Sequence, residues 1–208
     1  MNWSQKTMNL LEKFRAYSCN EEPKLPYPNK LRGLRFYEAG PLDRCTQAQA
    51  ENWRKDMTKW LQQRGAVAFN PVEKPCSFGL EGIEERELIN KLKREEKYDE
   101  IYEYGKQIRH VDLRLVDLSD VIICYLSTKI HMAGSYQELF LGLFQHKPVL
   151  LVVEEGKKET PSWILFAVKH HEIFSSFDEL KQYLDYIDNG GEPYTKNRWL
   201  FFDKDKLQ

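Results

Sequence analysis

Two carboxylates in this chain stand where acid–base or nucleophilic chemistry would need them, Asp112 and Glu138. Glu138 closes the stretch Gly134-Ser-Tyr-Gln-Glu138 and is followed by the apolar run Leu-Phe-Leu-Gly-Leu-Phe. Ser135-x-x-Glu138 ahead of such a run is the pattern of a capping box, in which the two side chains satisfy free N–H groups at a helix start. The first turn of a helix also favours an ionised carboxylate, through its N–H groups and its positive end. An ionised carboxylate is what a nucleophile requires, so this segment alone supports a cap and a nucleophile equally. Asp112 lies in a segment where Ile101, Tyr104, Ile108, Val111, Leu115 and Leu118 recur at steps of three and four, one apolar stripe of a helix. At the helical angle it falls roughly 40° from Ile108, on the margin of that stripe. A carboxylate there needs a partner or is held neutral. Asp117 points the other way, to solvent. Asp120 opens the next strand and either ends the helix or bonds neighbouring backbone.

The elements that must position these residues alternate between strands and helices. Strands are expected at 34–38, 66–69, 121–126, 148–153 and, weakly, 171–174. Helices are expected at 47–64, where Ala50, Trp53, Met57, Trp60 and Leu61 share a face, and at 81–97, 99–118, 135–145, 161–170 and 176–187. In the helix carrying Glu138, residues 139, 140, 143 and 144 are expected to face the core, with Glu138, Gly142 and Gln145 on another stripe. Ser176 with Glu179 three residues on is a second cap pattern. Strands apolar on both faces and separated by helices indicate an α/β fold with a doubly wound, five-stranded parallel sheet of flavodoxin-like order 2-1-3-4-5. Strands 1 and 3 are then neighbours, and ligands bind outside their carboxyl ends. The loop Glu38-Ala-Gly-Pro-Leu-Asp-Arg44 and the loop 127–134 should line one crevice.

Composition sets the class. With 208 residues, 41% of them hydrophobic, the chain can bury one substantial core. Thirty-one basic against 32 acidic residues give no cationic surplus for a nucleic-acid polymer or an anionic membrane. No apolar run is long enough to span a bilayer, and the start Met-Asn-Trp-Ser-Gln-Lys lacks the apolar core of a secretory signal. Four scattered cysteines (Cys19, Cys45, Cys76, Cys124) without a C-x-x-C pair fit reduced thiols, hence a cytoplasmic protein. Residues 1–33, a short helix over 1–19 and a proline-rich linker, read as an N-terminal extension. Residues 34–188 form the main domain with a charged helical insert at 79–100, and 189–208 form an aromatic C-terminal tail expected to dock on the domain or on a second subunit.

Taken together, Phe36-Tyr-Glu-Ala-Gly-Pro-Leu42, Asp112-x7-Asp120-Val-Ile-Ile, Gly134-Ser-x-x-Glu138 and Lys147-Pro-Val-Leu resemble the nucleoside 2-deoxyribosyltransferase-like superfamily in order and approximate spacing, across about residues 34–188. That superfamily contains nucleoside deoxyribosyltransferases and nucleotide N-glycoside hydrolases. The resemblance implies Glu138 as the nucleophile on the anomeric carbon, Asp112 as the acid serving the departing base, and Tyr37 to Arg44 as the wall of the base and sugar pocket. It implies that Gly134 and Ser135 let the sugar or its 5′ substituent approach the helix. It also implies a nucleoside or nucleotide substrate and a homodimer or higher homo-oligomer. The chemistry is consistent: a retaining route through an oxocarbenium-like transition state needs one carboxylate to form a glycosyl ester and another group to protonate the leaving base. The chain departs from the family at Met132, where transferases carry an acid and hydrolases a serine, and at Tyr136, where a glycine is usual.

Further candidates carry plainer roles beside functional ones. His131 sits in the presumed site loop, as a phosphate or base contact or as a solvated surface residue. Arg44 is placed to meet a 5′-phosphate or to make a surface ion pair. Glu38, at a strand end, is expected to face the crevice and to pair with Arg44 or a ligand, while Gly40 and Pro41 shape the same loop. His170-His171 lack the companions of a zinc site, and no metal or cofactor is expected. A phosphoribohydrolase is the alternative enzyme, weakened because Met132-Ala-Gly-Ser lacks the leading glycines of its motif. A non-catalytic nucleotide sensor is the alternative outside enzymes.

Overall fold

The computed structural model describes residues 29–195 together with Arg198 and Trp199. The expected helix over 1–19 and its proline-rich linker lie outside these residues, as do Phe201 and Phe202 of the tail. Strands β1 (Arg35–Ala39), β2 (Val67–Phe69), β3 (Val121–Leu126), β4 (Val149–Val153) and β5 (Ile173–Phe174) form one sheet in the order β2-β1-β3-β4-β5. Every pairing is parallel, with Tyr37 opposite Ile122 and Ile122 opposite Val149. Among the described residues the helices are α1 (Gln47–Gln62), α2 (Ile83–Arg94), α3 (Tyr98–Leu118), α4 (Ala133–Phe144), the single turn α5 (Ser162–Leu165) and α6 (Phe177–Asp188).

Alternation along the strands builds two cores. Tyr37, Ala39, Ile122, Cys124, Leu126, Leu151 and Val153 face Val111 and Leu115 of α3 and Leu139 of α4. Phe36, Val121, Ile123, Leu150 and Val152 face Met57 and Leu61 of α1 and Leu180 and Leu184 of α6. Each fully buried aliphatic side chain contributes about 1.5–3 kcal/mol, which is why the central strands are apolar on both faces.

Three local expectations change. The segment after residue 161 makes only one α-turn, because just Ile164 and Val168 point inward while Trp163 and Phe166 are exposed. The stripe of α3 is buried only from Ile108 onward, and Tyr98 and Tyr102 project into solvent. On α4 the buried residues are Ser135, Leu139 and Gly142, whereas Phe144 is 80% exposed. The helix packs on its small side rather than its bulky one. A Cβ on Gly142 would lie 2.7 Å from Cγ1 of Ile122, so glycine is what allows this close approach. The face carrying Glu138 is thereby turned toward the sheet.

At the margins, Leu31 is fully buried and its N–H donates to Asp188 Oδ1 at 2.9 Å. Tyr194 stacks on His171, with ring centroids 4.2 Å apart, and Trp199 is buried in the second core. The described part of the tail therefore docks on its own domain.

Candidate active site

A cavity of about 360 Å³ opens at the carboxyl ends of β1 and β3, the crevice that a doubly wound sheet reserves for ligands. Its wall is made by Gly40–Arg44 after β1, by Pro71 and Glu81 from the β2–α2 connection, and by His131–Ser135 with Glu138 at the start of α4. The two loops expected to converge do so.

Glu138 is not a cap. Helix α4 begins at Ala133 with Met132 as its N-cap residue, two positions before the expected start, and no side chain caps it. Glu138 therefore lies in the second turn, past the free N–H groups. Its Oε1 instead accepts a 2.7 Å hydrogen bond from the Tyr37 hydroxyl, which rises from the middle of β1. The contrast with α6 is instructive: there Ser176 does cap, accepting from the Glu179 N–H at 3.2 Å. Loss of the helix-terminal setting also reverses the expected ionisation. Burial pushes the Glu138 carboxyl up to about 8, the Asp112 and Glu81 charges add to this, and the Tyr37 bond and the Arg54 cation oppose it.

Asp112 is buried at 6% exposure, but behind the cavity wall. Its Oδ1 lies 2.7 Å from Nζ of Lys74, whose side chain is fully buried. The same ammonium donates to the Gly79 carbonyl at 2.6 Å and lies 3.3 Å from Glu81 Oε2. Burial, then the Glu81 charge, push the Asp112 carboxyl up to about 7 against the pull of Lys74. Lys74 and Glu81 lie outside the two loops that the strand order singles out, after strands 1 and 3. The signal available was that β2 is also parallel, so the segment following Asn70-Pro71 must emerge at the same edge.

Arg54 of α1 is a further buried cation outside the expected set. Its guanidinium donates to the carbonyls of Glu38 (3.2 Å), Pro41 (3.4 Å) and Ala50, clamping α1 to the strand-1 loop. Gly40 lies against it: a Cβ there would be 2.7 Å from the Trp53 ring and 3.1 Å from Arg54 Nη2.

Other expected residues divide by place. Gly40, Pro41, Arg44, His131, Met132, Gly134 and Ser135 line the cavity. Arg44 is exposed and takes a left-handed turn conformation (φ 57°). Met132 is nearly buried, and its sulfur accepts from the Ser127 N–H at 3.3 Å, which closes the turn after β3. Tyr37, expected on the pocket wall, is fully buried and supports Glu138 from beneath instead of lining the cavity. Two further residues are elsewhere. Glu38 alternates with Tyr37 and so points to the α1 face, where its carboxylate accepts from the Thr58 hydroxyl at 3.0–3.1 Å, and it does not meet Arg44 or the cavity. Asp120 sits at the amino end of β3, opposite the cavity. It accepts from the Arg35 N–H, Nε and Nη2 at 2.7–2.9 Å, a saturated structural ion pair. Among the described residues no cluster of metal-ligating side chains occurs and no helix is long and apolar enough to cross a membrane.

Fold and cavity together define a doubly wound α/β protein with a carboxylate-lined crevice at its switch point. No family model matches the sequence, and no curated protein matches it. Among solved structures the chain is similar to a 2-deoxyribosyltransferase from the psychrotolerant bacterium Bacillus psychrosaccharolyticus, at 18% identity and a TM-score of 0.48, over 77% of this chain and 98% of that one.

Proposed function

We propose that the chain cleaves or exchanges the base of a 2′-deoxynucleoside or its 5′-monophosphate through a covalent glycosyl ester on Glu138. The observation that carries this reading is the Tyr37–Glu138 hydrogen bond at the cavity wall. It fixes one carboxylate oxygen while the other remains for bond formation. A nucleophile needs such orientation, and a helix cap would have spent the side chain on its own backbone. The sequence resemblance at Gly134-Ser-x-x-Glu138 and Asp112 points to the same chemistry. A second group must protonate the departing base, and Asp112, Lys74 and Glu81 supply the proton store. Water reaching the ester gives hydrolysis, and a second base reaching it gives transfer.

The test is to incubate the protein with deoxynucleosides and their monophosphates, with and without a free acceptor base, and to follow base release by chromatography. Release in water marks a hydrolase; release only with acceptor marks a transferase. Binding without release under either condition overturns the proposal in favour of a sensor. Self-association belongs to the same reading, supported by the exposed aromatic side chains Phe144, Trp163 and Phe166 (80%, 72% and 78%). Sedimentation equilibrium showing only monomer at working concentration would remove that part.

A further inference from the structure

Building on the N-glycosyl reading above, we infer that Glu81 hands the proton to the leaving base, with Asp112 as the reservoir behind it and Lys74 as the positioning residue that joins the two. Three observations lead here. Access comes first: Glu81 lines the cavity together with Glu138, whereas Asp112 does not reach its wall. Charge balance comes second. A fully buried ammonium lies 2.7 Å from one carboxyl and 3.3 Å from the other. Two carboxylates against one buried cation leave an uncompensated negative charge, and a single proton shared between them removes it. Asp112, raised to about 7 with the Glu81 charge among the causes, behaves as a member of such a pair. Construction comes third. Gly79 holds φ +65°, and a Cβ there would meet Val111 Cγ2 at 2.9 Å and the Gln107 carbonyl at 3.0 Å. The loop is thus pressed onto α3 beside Asp112, delivering Glu81 to that spot.

A lone pair on the Glu138 carboxylate forms the bond to C1′ while the C1′–N bond breaks, its electron pair going to the base nitrogen. The shared proton moves from Asp112 to Glu81, which leaves Asp112 a carboxylate beside the Lys74 ammonium, and passes from Glu81 to that nitrogen. When water or an incoming base attacks C1′, it surrenders a proton to the pair, and the ester electrons return to Glu138.

The experiment compares wild type, Glu81→Gln, Asp112→Asn and Lys74→Met, each checked for an intact thermal transition. They are assayed on whichever common deoxynucleoside or monophosphate wild type cleaves, and on its counterpart with a nitro-substituted base that departs as a stable anion. Loss of a general acid slows the ordinary substrate about 10²-fold or more in kcat and nearly disappears with the nitro base. Glu81→Gln is expected to show this pattern with KM little changed, and Lys74→Met to show it in weaker form. A structural defect would slow both substrates alike. If Glu81→Gln matches wild type on the ordinary base, or loses equally on both, the inference falls while the Glu138 reading stands. If wild type releases no base at all, both fall.

Discussion

Tyr37 and Glu138 lie 101 residues apart in the chain and meet through a 2.7 Å hydrogen bond from the phenol to Oε1. Parallel pairing of β1 with β3, and the close seating of α4 that Gly142 allows, bring them together. The bond favours the ionised carboxylate, so Tyr37→Phe should raise the Glu138 pKa further above its value of about 8. We expect kcat at pH 7 to fall by about tenfold, the worth of one such bond, and the alkaline limb of the pH–rate profile, set by Glu138 as the group of higher pKa, to move to higher pH. An unmoved alkaline limb would show that the phenol does not tune the nucleophile.

Removing the nucleophile and removing the proton reservoir should differ. Glu138→Ala is expected to abolish base release, whereas Asp112→Asn retains residual activity, reduced about 10²–10⁴-fold. Equal, mild losses in single-turnover assays would contradict this division.

In the proposed chemistry the two carboxyls also set the pH optimum. Glu138, near 8, must be ionised, and the acid cluster containing Asp112, near 7, must hold its proton. The required proton placement is the minority one, so activity falls on both sides of a narrow maximum between about pH 7 and 8. A kcat/KM profile that is flat from pH 6 to 9 would rule this out.

Stability should respond to pH through Glu38. Burial pushes its carboxyl up to about 8 despite the Thr58 bonds. Between its ordinary value near 4.5 and 8, the folded protein holds a proton that the unfolded chain releases. Stability is therefore lost as pH rises through that window, and the loss is complete above it. Glu38→Gln removes the penalty. Unfolding free energies from denaturant melts should match wild type near pH 4 and exceed it at pH 9 by on the order of a few kcal/mol, with base release unaltered.

Asp120 tests the structural assignment at the opposite edge. Asp120→Ala leaves the Arg35 N–H and guanidinium without their acceptor. It should lower stability by about 2–3 kcal/mol in chemical denaturation. Base release per folded molecule should be retained, and a selective loss of activity would contradict a purely structural role for Asp120.

Much of this architecture was legible because its signals are local or periodic. The apolar strands Val121–Leu126 and Val149–Val153 announce a buried parallel sheet, and their alternation with helices a doubly wound one, of which the order 2-1-3-4-5 is one of the two common arrangements. Convergence of Gly40–Arg44 with His131–Ser135 follows from that order. What was hidden depends on how surfaces roll and which small residues permit contact. Periodicity favoured the bulky side of α4, and only packing shows that Gly142 and Ser135 face the sheet. Ser135-x-x-Glu138 and Ser176-x-x-Glu179 read alike, yet one is a cap and the other is not, because Met132 starts α4 early. Lys74 escaped notice since its burial arises from Asp112 and Glu81, neither of which is adjacent to it in a helix or strand.

The charged insert also touches the rim of the crevice. Arg86 of α2 donates to the Leu42 carbonyl at 3.3 Å and lies 4.0 Å from Glu51, while Lys93 reaches Asp43 at 3.6 Å. These contacts fasten the rim of the crevice with partly solvated charges, which dissolved ions shield readily. The doorway is thus latched by forces that dilute buffer tightens and brine slackens, while the buried Lys74 ammonium keeps its grip in both.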